Sequence, residues 1–288
     1  MEEIFMISRH LKIYLRDKGT VISSFVAIFV IIALYVLFLG NYLESVISST
    51  IGKQTGNFLF VNSWVLSGIV VVSSVTISLG LFGVKVQDEE SEILTSFLVT
   101  PISKFKIVVS YIIAAWIISG IVITIVFFLW WLLMRLFGYE LLTLTQVPKL
   151  ILYISLNILS STSLTFLLVN FVKSVAAFSS VSTIVGTLTG FLAGIYLPIG
   201  ALPQFVQVIM KLFPPTYGVA QIRSILTEKP LAAITQGDSS ARIDDLKLSM
   251  GIQVDWLGYT LTNNQIIFIL LLATVVFTLV AILQFREK

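Results

Sequence analysis

The sequence predicts an all-α integral membrane protein, a single transmembrane domain over residues 1–288 with six transmembrane helices. Three observations predict it. The chain is 57% hydrophobic and 11% charged, with a mean hydropathy of +1.01, too apolar for an ordinary water-exposed domain. Six runs free of Asp, Glu, Lys, Arg and His lie at about 21–39, 58–84, 107–134, 150–172, 175–197 and 266–285. Each is long enough for a helix to cross a bilayer core, which takes about 20 apolar residues. Lys and Arg are denser on one side: ten fall in the 47 residues of 1–20, 85–106, 173–174 and 286–288, against eight in the 101 residues of the opposite segments. That bias places both termini in the cytoplasm of a multi-pass plasma-membrane protein.

The N-terminal segment, 1–19, reads as an amphipathic interfacial helix. Ile4, Ile7, Leu11 and Tyr14 recur at helical spacing, and Arg9, Lys12 and Arg16 share another face turned to anionic headgroups. A plain topogenic flank would account for the same cations. Span one carries Ser23 and Ser24 and leaves at Gly40-Asn41. Along span two, Ser63, Ser67, Ser74 and Ser78 form one stripe with Gly68, Gly80 and Gly83 nearby. Such a stripe serves either close helix packing or the lining of a polar route.

Residues 87–103 interrupt the apolar pattern. Asp88, Glu89, Glu90 and Glu92 crowd the start, where carboxylates offset a helix dipole, and Pro101 stops the far end. Ile93, Leu94, Phe97 and Leu98 fall on one face, the spacing with which a short amphipathic helix docks into a partner's groove. Span three holds Trp116 in its body and Trp130-Trp131 near its outer end, with Arg135 placed to snorkel beyond. Only Lys173-Ser174 separates spans four and five, so an antiparallel hairpin is expected there. Span five bears Ser179, Thr183, Gly186, Gly190 and Gly194 in a ridge suited to helix packing, to a seam between protomers, or to lining a route.

In 198–262, Pro198, Pro203, Pro214 and Pro215 cut out two pieces too short to span, Leu202–Phe213 and Thr216–Thr227. Leu202, Phe205, Val206 and Ile209 share a face of the first, and Ile222, Ile225 and Leu226 a face of the second. Both are expected to fold back over the outer mouth of the bundle, since irregular backbone near membrane depth persists only where protein or water satisfies it. The polar tract Glu228–Tyr259 is expected to form a small external subdomain or an ordered loop before span six.

Absences narrow the function. Cysteine is missing and His10 stands alone, which leaves no thiolate or histidine cluster for a metal or redox site. No P-loop sequence occurs, so any nucleotide chemistry has to be borrowed. The spans carry no mid-membrane ionisable group of the kind proton- and ion-coupled carriers use. A net charge of +3, clustered at span ends, does not suggest nucleic acid. A basic, aromatic segment before the first span, with no small-residue cleavage site after it, leads us to expect no cleavable signal peptide.

Two stretches carry a resemblance. Asp88-x-Glu90, Leu94, Phe97, Leu98 and Thr100-Pro101-Ile102-Ser103 resemble the cytoplasmic loop of the type 2 ABC exporter permeases. Gly194-Ile195-Tyr196-Leu197-Pro198, Leu202-Pro203, Pro214-x-x-Tyr217 and Arg223 resemble the same family after its fifth span. Glu89 stands where that family has a basic residue, Glu92-Ile93 where it has Gly-Thr, and Phe213 where it has Asn. The resemblance implies that 87–103 is a coupling helix contacting a nucleotide-binding ATPase subunit through Asp88, Glu90, Ile93, Leu94, Phe97, Leu98 and Pro101. It implies extracellular re-entrant helices gating the exit through Pro198, Pro203, Pro214, Tyr217 and Arg223. Ser67, Ser74, Ser78, Ser179, Thr183, Gly186 and Gly190 would then pack helices or line the route. The implied function is export of a hydrophobic or amphipathic substrate (drug, lipid, peptide or lipid-linked glycan) from a bacterial cell. ATP and Mg would sit on the partner ATPase and no cofactor on this chain, which would pair with a second copy or a paralogue among membrane lipids. The alternatives are an ATP-independent carrier or flippase, and a non-transporting sensor or interaction protein.

Overall fold

The computed structural model describes residues 2–51, 56–98, 102–139, 142–236, 239–256 and 258–286. Helix α1 (Glu2–Arg16) leads into α2 (Lys18–Leu34), which passes through a π-helical stretch, Tyr35–Leu39, into α3 (Gly40–Ile51). Then come α4 (Asn57–Glu90), α5 (Ile93–Leu98), α6 (Lys104–Leu136), α7 (Val147–Val169) and α8 (Val175–Leu192). A 3-10 turn at Ile199–Ala201 precedes α9 (Gln204–Leu212), α10 (Pro215–Leu226), α11 (Glu228–Ile234) and α12 (Ser240–Ser249). Strands β1 (Asp255–Trp256) and β2 (Tyr259–Thr260) pair antiparallel, with Trp256 opposite Tyr259, and α13 (Asn263–Arg286) ends the fold.

Among the described residues, five helices, α4, α6, α7, α8 and α13, are long and apolar enough to cross a membrane, and α1 with α2, bent by 75° between them, meet the same test together. The protein is therefore an all-α membrane protein, with a ribbon of two two-residue strands as the exception among the described residues, too short to leave an alternating pattern in the sequence. The bend falls at Asp17. Its carboxylate accepts from the Thr20 amide at 3.2 Å and the Thr20 hydroxyl at 2.5 Å, capping α2 where α1 has ended.

Helix α4 is the axis. At 1.5 Å per residue its 34 residues run about 51 Å. It is buried along most of that length because α1, α2, α6, α7, α8 and α10 all pack on it. Its serines make this possible, since small residues let backbones approach. Helix α13 closes the far side against α7 and α6. The hairpin expected of α7 and α8 does not form: α8 packs chiefly on α4. The chain between them holds Asn170 against α13, where its amide donates to the Ala281 carbonyl at 3.1 Å, and Ser174 is extended, so the link swings α8 away.

The two ends of the bundle differ. One carries α1 and α5, here the lever end; the other carries α9 to α12, here the cap. Within the cap α10 is almost wholly buried among α4, α7 and α13. Helix α9 instead leaves Phe205, Val208, Ile209 and Leu212 exposed.

Candidate functional site

At the lever end α4 runs to Glu90, and the chain turns into α5 through Glu92, a non-glycine residue at φ 61°. A left-handed backbone at a residue bearing a Cβ costs about 1–2 kcal/mol. The acids divide into two sets. Asp88 is only 3% exposed, and its carboxylate accepts two bonds from the Arg9 guanidinium, at 2.6 and 2.7 Å, and one from the Tyr111 hydroxyl at 2.7 Å. Glu89 pairs with the buried Lys85 at 2.5 Å. Glu90 and Glu92 face outwards.

Helix α5 divides the same way. Leu94, 4% exposed, belongs to the chain's own core, and Phe97 lies partly buried with the Arg9 guanidinium 5.0 Å above its ring. Ile93, 42% exposed, and Ser96 face outwards. Of the apolar face expected to dock elsewhere, Leu94 is buried inside this chain, Phe97 is partly buried and Ile93 is exposed, while the acid Asp88 is likewise committed inside the chain. The side chain of Leu98 and the whole of Pro101 lie outside the described residues. Arg9, expected to face headgroups, points instead at Asp88, because a buried carboxylate needs a charged donor within reach. Beside it His10 stacks on Tyr111 with ring centroids 3.8 Å apart, and its Nε2 lies 3.2 Å from the Ser110 hydroxyl. Burial foremost, then the Arg9 charge, push the His10 pKa down to about 3, against the opposing pull of Asp88.

Between α2, α4 and α8 lies a cleft of about 800 Å³. Ser23 and Ser24 of α2, Thr76 of α4, and Ser179, Thr183 and Gly186 of α8 line it, with aliphatic residues between them. Asp17 and Gln87 stand at its lever end. The α4 stripe faces the other way. Ser74 meets Ser161 at 3.0 Å and accepts from the Asn157 amide at 3.1 Å, Ser78 lies 3.4 Å from Ser119, and Ser67 is buried, bonded to the Ser63 carbonyl at 2.9 Å. Of the small residues singled out, Ser67, Ser74 and Ser78 pack helices, whereas Ser179, Thr183 and Gly186 border open space. Gly190 does neither: the Tyr196 ring occupies the room a side chain there would need. Thr76, which the serine periodicity passes over, is the α4 hydroxyl that reaches the cleft.

The cap is knotted around Arg223. Its guanidinium, 2% exposed, donates to the carbonyls of Gly194 at 2.8 Å and Met250 at 3.2 Å and lies 4.0 Å from the Trp64 ring centroid. The Trp64 indole donates to the same Met250 carbonyl at 2.7 Å. Gly194 and Gly251, both at positive φ, turn the backbone around this guanidinium. Tyr217 donates to the Lys211 carbonyl at 2.6 Å and accepts from the Trp256 indole at 2.5 Å. Lys211 pairs with Asp255 at 2.7 Å. Pro198 and Pro203 precede the 3-10 turn and α9, and Pro214 precedes α10 without a side-chain cap, as Phe213 in place of Asn leads one to expect. Arg223 is thus brought together with Trp64 and Met250, and Tyr217 with Trp256, partners that sequence reasoning missed. A buried indole requires an acceptor, so Trp64 in span two was the available signal.

Residues 41–283 match the sequence model of a family described as ABC-2 family transporter protein. No curated protein matches the chain.

Proposed function

The chain belongs to the ABC-2 transporter family, as a membrane subunit of an ABC transporter, and from that premise we propose that it is the permease of an exporter driven by a separate ATPase subunit. The ATPase holds ATP and Mg and seats on α5 from the cytoplasm, where both termini lie. One observation carries this reading: α5 is a short helix anchored on one side by Leu94 and Phe97, while its other edge, Ile93 and Ser96 with Glu90 and Glu92 beside it, stands free of the bundle. Inward pressure on that edge is passed directly to α4, one wall of the cleft.

The cleft then serves as the route, completed across α2 and α8 by a second copy or a paralogue. Its lining of hydroxyls and aliphatic groups suits a hydrophobic or amphipathic substrate entering from the bilayer. The cap, held by Arg223, closes the outer end, with α9 laid along the outer leaflet by Phe205, Ile209 and Leu212. An ion-coupled carrier would need an ionisable group at mid-depth; of the acids and bases among the described residues, only Asp17, at the lever end, lines the cleft. Copurification with the ATPase tests the proposal: Ile93→Arg should abolish the complex while the chain still folds. A complex untouched by that change would move the seat elsewhere.

A further inference from the structure

The cluster behind α5 does more than a seat requires. A short helix such as α5, with only six residues, is not stable by itself. A push on it would be spent in local bending unless its inner side were fixed. The fixing groups come from α1, which is not its neighbour in sequence. Arg9 holds Asp88 through two parallel bonds and lies over Phe97. Tyr111 of α6 bonds the same carboxylate and stacks on His10, the residue next to Arg9. Helix α1 then turns at Asp17 into α2, the wall of the cleft opposite α8.

A buried ion pair of this kind adds little net stability, because desolvation offsets most of its attraction, whereas its bidentate geometry fixes orientation strictly. Had firm folding been the whole requirement, an aliphatic contact would have served. We propose that Arg9 is a positioning residue for energy coupling, clamping Asp88 and Phe97 so that α1, the end of α4 with α5, and the start of α6 move as one body. The stroke delivered to α5 then reaches the cleft by two walls, directly through α4 and through α1 into α2. This rests on α5 being the seat of the ATPase.

Amide hydrogen exchange of the full permease–ATPase complex in lipid nanodiscs, with and without a non-hydrolysable ATP analogue, tests it. In the native complex the nucleotide should change exchange in both α5 and α1 by about threefold or more, as expected when a cooperative unit shifts. In Arg9→Ala the α5 response should persist while the α1 response disappears. Arg9→Lys should give a reduced α1 response, since an ammonium keeps the charge but not the fork of parallel bonds. The exposed neighbour Lys12→Ala should behave like the native chain. An α1 response of native size in both Arg9 variants overturns the clamp and leaves the seat standing; so does loss of the α5 response in both, which would make Arg9 part of the seat. Should Arg9→Ala fail to assemble, Arg9→Lys against Lys12→Ala decides by the same comparison. If nucleotide leaves α5 of the native complex unchanged, the seat itself is wrong, and the clamp falls with it.

Discussion

Replacing Gly218 by alanine should unseat α10 from the bundle. Gly218 faces Asn157 of α7, and a methyl group there would overlap the Asn157 amide oxygen and stand 2.6 Å from its Cγ and 2.8 Å from its Cβ. Ordinary contact begins near 3.4 Å. Either α10 retreats or Asn157 rotates. Retreat disturbs a helix buried on almost every side, and overpacking of that kind costs about 1–3 kcal/mol. Rotation breaks the bond from Asn157 to Ser74, worth about 1 kcal/mol. A loss of about 1–3 kcal/mol follows, read as a fall of a few degrees in the melting temperature of the purified chain in detergent. Gly120→Ala, where nothing lies within 4 Å, should change little. Adding Asn157→Ala to Gly218→Ala removes the amide, the nearer of the obstructing atoms, and leaves only the Cβ, so the pair should be less damaged than the sum of the two single changes. Strict additivity, or a Gly218→Ala chain that melts like the native one, would refute a close α7–α10 contact.

Glu92→Gly should raise the melting temperature, because glycine holds the left-handed turn without the roughly 1 kcal/mol that a Cβ adds; an unchanged or lower value would place the strain elsewhere. The folded chain keeps His10 neutral down to about pH 3, while the unfolded chain protonates it near 6.5, so stability should fall as pH drops through that window. Between pH 7.5 and 5 the loss attributable to His10 is on the order of 2 kcal/mol, and His10→Gln should flatten that part of the pH profile. Thr183→Trp, which fills the cleft from α8, should lower ATP-driven movement of a fluorescent amphiphilic dye severalfold while ATP hydrolysis by the complex persists; equal loss of both would take the cleft out of the route.

The helices were legible wherever composition alone decides. Charge-free runs had to be helical in a bilayer, and the spacing of Ser67, Ser74 and Ser78 put them on one face of α4 before anything showed which neighbour that face meets. What the pattern could not supply was the partner. On α1 the residues turned fully inward are Met6, His10 and Tyr14, one helical row over from most of the aliphatic set. The pattern favoured Ile4, which is exposed, over His10, whose burial depends on Tyr111, distant in sequence. Arg9 read as a headgroup contact for the same reason, since only the fold brings Asp88 to it. The swing of α8 away from α7 depends on Asn170 reaching α13, another long-range contact. In the cap, Arg223 and Tyr217 could be named from a motif, but Met250 contributes only its backbone carbonyl, which no side-chain pattern marks.

The most direct measurement is solute accumulation in sealed vesicles carrying the purified chain, with and without its ATPase subunit and ATP. A permease driven from α5 should be inert alone, gain ATP-dependent movement of the dye when the ATPase is added, and lose it again with Ile93→Arg. Sustained uphill movement by the chain alone would contradict the central claim.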